Sequence, residues 1–168
     1  MVTSALRQRG VDRHAAGVTE DYRVLHEPTH PTAIAFLNAW RAQTEKNGFV
    51  IGRDIPSRSM ARFLENIIVY EPVDGGRDML VRLAGGAVQI RFNRDIKGMR
   101  FSELFSEEVF RGHMLRVQTM LATKEPLIHT INVFSHGHPA LRLEGVILPV
   151  LSPDRAAAWV LGGLFYFG

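Results

Sequence analysis

Residues 159–167 read WVLGGLFYF. If the segment is extended, Trp159, Leu161, Phe165 and Phe167 fall on one side and Val160, Leu164 and Tyr166 on the other. Ser152, Pro153 and Asp154 provide a turn before it. A strand apolar on both faces belongs in the middle of a sheet that is covered above and below. The segments before it should therefore supply flanking strands and two covers.

The flanking strands lie on both sides in sequence. Leu127–Phe134 and Leu141–Val150 are apolar runs separated by a loop around Ser135–Pro139. In the second run Leu141 and Leu143 alternate with Arg142 and Glu144, which predicts a wet face at that end. Further upstream, Ile67–Tyr70 and Met79–Leu83 flank Asp74-Gly75-Gly76, a hairpin signal. Between the two strand groups lies a run of helices. Gly85 and Gly86 mark a tight turn into a short helix over Ala87–Phe92. Ser102 caps one turn holding Leu104 and Phe105, and Ser106 caps a longer helix over Glu107–Lys124. Phe110, Met114, Val117 and Leu121 line one side of the longer helix.

The second cover comes from the leading part of the chain. Pro31 sits at a first helical position after Thr29 and His30, and Asn47-Gly48 supplies the stop. Ala33, Phe36, Leu37 and Trp40 recur at helical spacing and need an apolar surface to dock on, either the chain's own sheet or that of a second copy. The expected fold class is thus α+β: a five-stranded antiparallel sheet with crossover helices on one face and an N-terminal helix on or near the other.

Composition narrows the function classes. The 168 residues include no cysteine, which removes disulfides, thiol catalysis and zinc–thiolate sites. Net charge is +3 and the basic residues are scattered, without the basic stripe of a nucleic-acid binder. Met1–Gly10 lacks the apolar core of a signal peptide, and the most apolar stretch, Ala156–Phe167, would span only about 18 Å as a helix. A cytoplasmic protein with no membrane partner is expected.

The order of elements resembles the PAS fold, and particular residues tighten the likeness. Ile67–Phe105, IIVYEPVDGGRDMLVRLAGGAVQIRFNRDIKGMRFSELF, is similar to the first half of a PAS domain. RLAG at 82–85 followed by NRDIKGMRFSELF at 93–105 resembles a bacterial PAS subfamily of small stand-alone proteins. In that group a tryptophan-bearing helix, here FLNAWRA at 36–42, precedes the domain. LEGVILPVLS at 143–152 and WVLGGLFYF look like the last two PAS strands. On this reading residues 1–20 are a flexible tail, 21–59 an amphipathic helix and linker, and 60–168 the PAS-like domain. The resemblance implies a sensory or signalling module, binding a small molecule in a cavity between sheet and crossover or binding a protein, and acting without an output domain of its own. It also implies a homodimer, with Phe36, Leu37 and Trp40 as candidate interface residues, and an unidentified signalling partner. A fold does not fix a function. The rival reading is a small cone-shaped α+β enzyme of the isomerase or dehydratase kind, which fits less well because two strands precede the crossover.

The candidate ligand-binding residues are Arg91, Phe92, Met99, Phe110, His113, Met114, Val117, Leu143 and Ile147, with Arg91 and His113 as the polar groups that would orient a ligand. They line a pocket or simply fill a solid core. In haem-binding PAS domains the axial histidine comes from the helix that His113 occupies, but no second ligand or propionate cluster accompanies it, so haem is not favoured. Non-covalent flavin stays open, while the cysteinyl-flavin class is removed. His136 and His138, with His129 upstream, have a spacing that could share a metal, but a solvated loop is the better reading and no metal is expected. Asp74, Asp78 and Glu144 have no obvious catalytic partner in sequence, and Asp95 is expected to tie down its own loop.

Overall fold

The computed structural model describes residues 18–168. The elements run β1 (Val18–Leu25), α1 (Pro31–Asn47), a 3-10 helix (Arg58–Asn66), β2 (Ile67–Val73), β3 (Asp78–Ala84), α2 (Gly86–Phe92), α3 (Phe101–Leu104), α4 (Glu107–Thr123), β4 (Leu127–Ser135), β5 (His138–Leu151) and β6 (Ala158–Tyr166). All strand pairings are antiparallel, in the spatial order β1-β4-β5-β6-β2-β3.

The segment quoted first is β6, and it lies inside the sheet between β5 and β2. Its two apolar faces go to two separate cores. Trp159, Leu161 and Phe165 join Phe36, Leu37 and Trp40 of α1 and Phe63 of the 3-10 helix. Val160 and Leu164 join Val88 and Phe92 of α2, Phe101 and Leu104 of α3, and Met114, Val117 and Met120 of α4. Each face thus loses its apolar surface from water, the dominant favourable term in folding.

Helix α1 docks on the chain's own sheet. Phe36, Leu37 and Trp40, expected as interface residues, are buried among Phe63, Val146, Leu148 and Phe165 of the same chain. The Trp40 indole Nε1–H donates to the Pro149 carbonyl at 3.0 Å. An interface with a second copy would have to use other residues. The segment after α1, read as a linker, is also held in place. Phe49, Val50 and Ile55 are buried, and Ile51 N–H donates to the Leu151 carbonyl at 3.0 Å.

The sheet has six strands, not five. The extra one is β1, which pairs along its length with β4 from Val18↔Ser135 to Leu25↔Ile128. An edge strand needs just one partner and mixes polar with apolar residues, so its periodicity is weak. Of the tail expected over residues 1–20, residues 1–17 lie outside the described residues, and from Val18 the chain is already strand.

A second correction concerns Glu144. It is not on a wet face; its exposure is 0%. Its carboxylate accepts from Thr29 N–H at 2.7 Å, Thr29 Oγ1–H at 2.7 Å and His30 N–H at 3.0 Å. It thereby fastens the residues that precede α1 to the middle of the sheet. His30 is the N-cap, and its Nδ1 accepts from Thr32 N–H at 3.1 Å. Its Nε2 lies 3.1 Å from the Tyr166 carbonyl, so the proton sits on Nε2. Asp78 does similar work on the other side. It accepts from Ser102 Oγ–H at 2.6 Å and Ser102 N–H at 3.2 Å, pinning α3 to β3. Asp95 holds its own loop as expected, accepting from Lys97 N–H at 3.0 Å.

Candidate functional site

Between the sheet and helices α2, α3 and α4 lies a partly open cavity of about 350 Å³. That volume is at the small end of ligand sites, which run roughly 300–1,000 Å³. Of the residues expected to bind ligand, Arg91, Phe92, His113 and Ile147 line it. Met99, Phe110, Met114, Val117 and Leu143 are not in its wall. Met114 and Val117 are buried in the core beneath the crossover, with Met99 and Phe110 packed against it, and Leu143 sits in a small cluster with Ile131 and Val133.

The reason lies in the rotation of α4. Val109, Gly112, His113 and Arg116, at i, i+3, i+4 and i+7, face the cavity. The more apolar stripe of Met114, Val117 and Met120 turns into the core. Aromatic rings continue the wall. His113 lies 4.5 Å, centroid to centroid, from Phe105, and Phe105 is 5.4 Å from Phe101 at 86°. Tyr70 of β2 meets Phe101 at 4.7 Å.

At the end toward β1 and β4 the wall becomes polar. The Arg116 guanidinium lies over the Tyr22 ring at 4.1 Å, a cation–π contact, and Nη2 donates to His113 Nδ1 at 3.4 Å. The other side of this group is His129, whose ring stacks on Tyr22 at 4.8 Å and 22°. His129 is 5% exposed. It fits there because its cross-strand partner is Gly145. A β-carbon at that position would come within 2.3 Å of His129 Nε2. Among the described residues three buried polar atoms in this group have no hydrogen-bond partner: Tyr22 Oη, Arg116 Nε and His129 Nδ1. Such atoms are uncommon in folded proteins and each calls for a reason.

Burial sets the protonation of the group. It pushes the His129 imidazole from the usual 6.5 down to about 3, and the nearby Arg116 charge adds to the depression. It pushes the Tyr22 phenol up to about 12, with Arg116 opposing. Tyr70 is pushed up as well, by burial first and by Tyr22 second. His129 is neutral throughout the physiological range.

The pH dependence has a definite sign. Between about pH 6.5 and 3 the unfolded chain binds a proton at His129 that the folded chain does not, so stability falls as pH falls. From pH 7 to 5 this amounts to about 2 kcal/mol. Urea denaturation of wild type and His129→Gln at the two pH values should show the wild type losing about 2 kcal/mol more than the variant. Equal losses would mean that His129 is protonated in the fold.

Tyr22, Arg116 and His129 were not among the sequence candidates. His129 was read with His136 and His138, but strand alternation puts it on the cavity face with Ile131, away from that loop. Among the described residues no cluster of three or more His, Asp or Glu side chains is arranged to hold a metal ion, and no helix is long and apolar enough to cross a membrane.

A six-stranded antiparallel sheet with a helical crossover on one face, enclosing a cavity, defines an α+β module of the PAS type. Residues 28–165 match the family model of the PAS domain, and the chain belongs to that family. The match takes in helix α1 and strands β2–β6 and begins after β1. No curated protein matches the chain. Membership makes it, in general terms, a sensory and signalling module.

Proposed function

We propose that the chain is a small-molecule sensor whose ligand occupies the cavity between the sheet and helices α2–α4. The observation that supports this reading is the cavity itself: about 350 Å³, mostly apolar, with three unsatisfied polar atoms gathered at one end. A core that was simply filled would leave neither the volume nor the atoms.

Binding is favoured over catalysis. A general acid or base works best with a pKa near the operating pH. Here His129 is driven well below that range and Tyr22 well above it. Output would pass to a protein partner. A homodimer, if it forms, leaves Phe36, Leu37 and Trp40 inside each copy. Size-exclusion chromatography would show it as twice the chain mass, and a single chain mass would remove it.

The test of the sensor reading uses a blocked cavity. Ile147 lies on the sheet floor of the cavity, and Ile147→Trp should fill much of it. Native mass spectrometry of freshly purified wild type is expected to show a bound mass that the variant lacks, at equal far-ultraviolet circular dichroism. The fluorescent apolar probe 1,8-ANS should bind the wild type and not the variant. A bare chain mass together with identical ANS response in both proteins would contradict the proposal.

A further inference from the structure

We infer that the ligand carries a carboxylate on a flat apolar or aromatic body, and that Arg116 of α4 and Tyr22 of β1 hold the carboxylate. This rests on the sensor reading above and adds the chemical class of the occupant.

The apolar body follows from the wall. Ile68, Val88, Phe92, Phe101, Ile131 and Ile147 line the cavity, and the ring-against-ring contacts of Phe101, Phe105 and Tyr70 suit a flat partner. The charged group follows from the polar end. Arg116 lines the cavity, its Nε is buried without a partner, and among the described residues no carboxylate forms an ion pair with it. A guanidinium presents a planar fork of donors that matches a carboxylate. Beside it, the Tyr22 hydroxyl is a buried donor with no acceptor among the described residues. Neutral His129 offers Nδ1 on the same wall, either as a donor to the second carboxylate oxygen or as an acceptor for a protonated group on the ligand, according to its tautomer.

The placement of the site also explains β1. Tyr22 comes from the strand that adds to the edge at β4, so the leading strand completes the polar end of the cavity. Its ring stacks on His129 and lies under the Arg116 guanidinium.

Matched probes separate the charge from the cavity. 2-Naphthoate and its neutral isostere 2-naphthamide would be titrated by calorimetry into wild type, Arg116→Gln and Tyr22→Phe. Wild type should bind naphthoate about tenfold or more tightly than naphthamide. Arg116→Gln should abolish that preference. Tyr22→Phe, a smaller change that keeps the ring stack, should reduce the preference several-fold, and it serves as the test should Arg116→Gln fail to fold. Equal affinity for the two probes in wild type, or a preference that survives both substitutions, would overturn the carboxylate assignment. If naphthamide binding is still lost in Ile147→Trp, the sensor reading survives that outcome. Binding of neither probe, together with an unchanged ANS response in Ile147→Trp, would bring down both.

Discussion

Glu144→Ala is expected to destabilise the protein by about 3 kcal/mol, measured as the shift of the urea unfolding midpoint. Two backbone N–H groups, of Thr29 and His30, donate to this carboxylate at 2.7 and 3.0 Å. A hydrogen bond to a charged group contributes about 1.5–3 kcal/mol, and donors stripped of their acceptor at a buried site are costly. The Thr29 hydroxyl, which also bonds Glu144, lies on an exposed residue and can turn to water, so it adds little. Glu144→Gln keeps the volume and one accepting oxygen and should lose less than alanine does. Because Glu144 belongs to the α1 side of the sheet, naphthoate affinity should survive in whatever fraction remains folded. A stability loss under about 1 kcal/mol for alanine would mean that α1 is held by its apolar stripe alone.

Gly85→Ala should be at least as damaging, by about 3 kcal/mol or more, while Gly86→Ala should be harmless. A β-carbon on Gly85 would lie 2.1 Å from the Leu64 carbonyl oxygen and 2.4 Å from that of Glu65. Both are backbone atoms and cannot swing aside, so β3, α2 and the 3-10 helix would have to separate. The backbone conformation at Gly85, φ −71° and ψ 164°, is open to any residue, so contact alone causes the loss. Gly86 begins α2 and has open space around it. There alanine should be neutral or gain about 0.5–1 kcal/mol through helix propensity. Differential scanning calorimetry of the two variants side by side checks the contrast. Similar melting temperatures for both would contradict the contact seen at Gly85.

The central strand was legible because its chemistry repeats every second residue on both sides. Trp159, Leu161 and Phe165 against Val160 and Leu164 admit one placement, and the two covers follow from it. Glu144 was misread for a physical reason. Alternation with Leu143 says that Glu144 faces away from Leu143, but not whether water or the start of a helix some 114 residues earlier in sequence fills that side. Phe36, Leu37 and Trp40 were read correctly as a docking stripe, but the helix seats them on its own sheet.

The cavity was half legible. Phe92 and Ile147 are apolar residues at the surface where crossover and sheet meet, and Arg91 and His113 are the polar residues the sequence reading assigned to orient a ligand there. Met114 and Val117 were chosen because the most apolar stripe of a helix looks like a pocket wall, yet that stripe goes where burial is complete. The cavity takes the neighbouring stripe with Gly112, His113 and Arg116. Tyr22 and His129 meet only through the pairing of β1 with β4, more than a hundred residues apart, and no local pattern announces that contact.

Isoleucine methyl groups provide the most direct test of the ligand site. Ile68, Ile131 and Ile147 line the cavity, whereas Ile55, Ile67 and Ile128 are buried in the core under α1, and Ile34 and Ile90 are exposed. Methyl NMR spectra recorded during a 2-naphthoate titration should show shifts at Ile68, Ile131 and Ile147 and leave Ile55, Ile67 and Ile128 unmoved. Shifts confined to Ile34 or Ile90, or to the α1 side, or no shifts at saturating probe, would contradict a sensor that reads its ligand between the sheet and helices α2–α4.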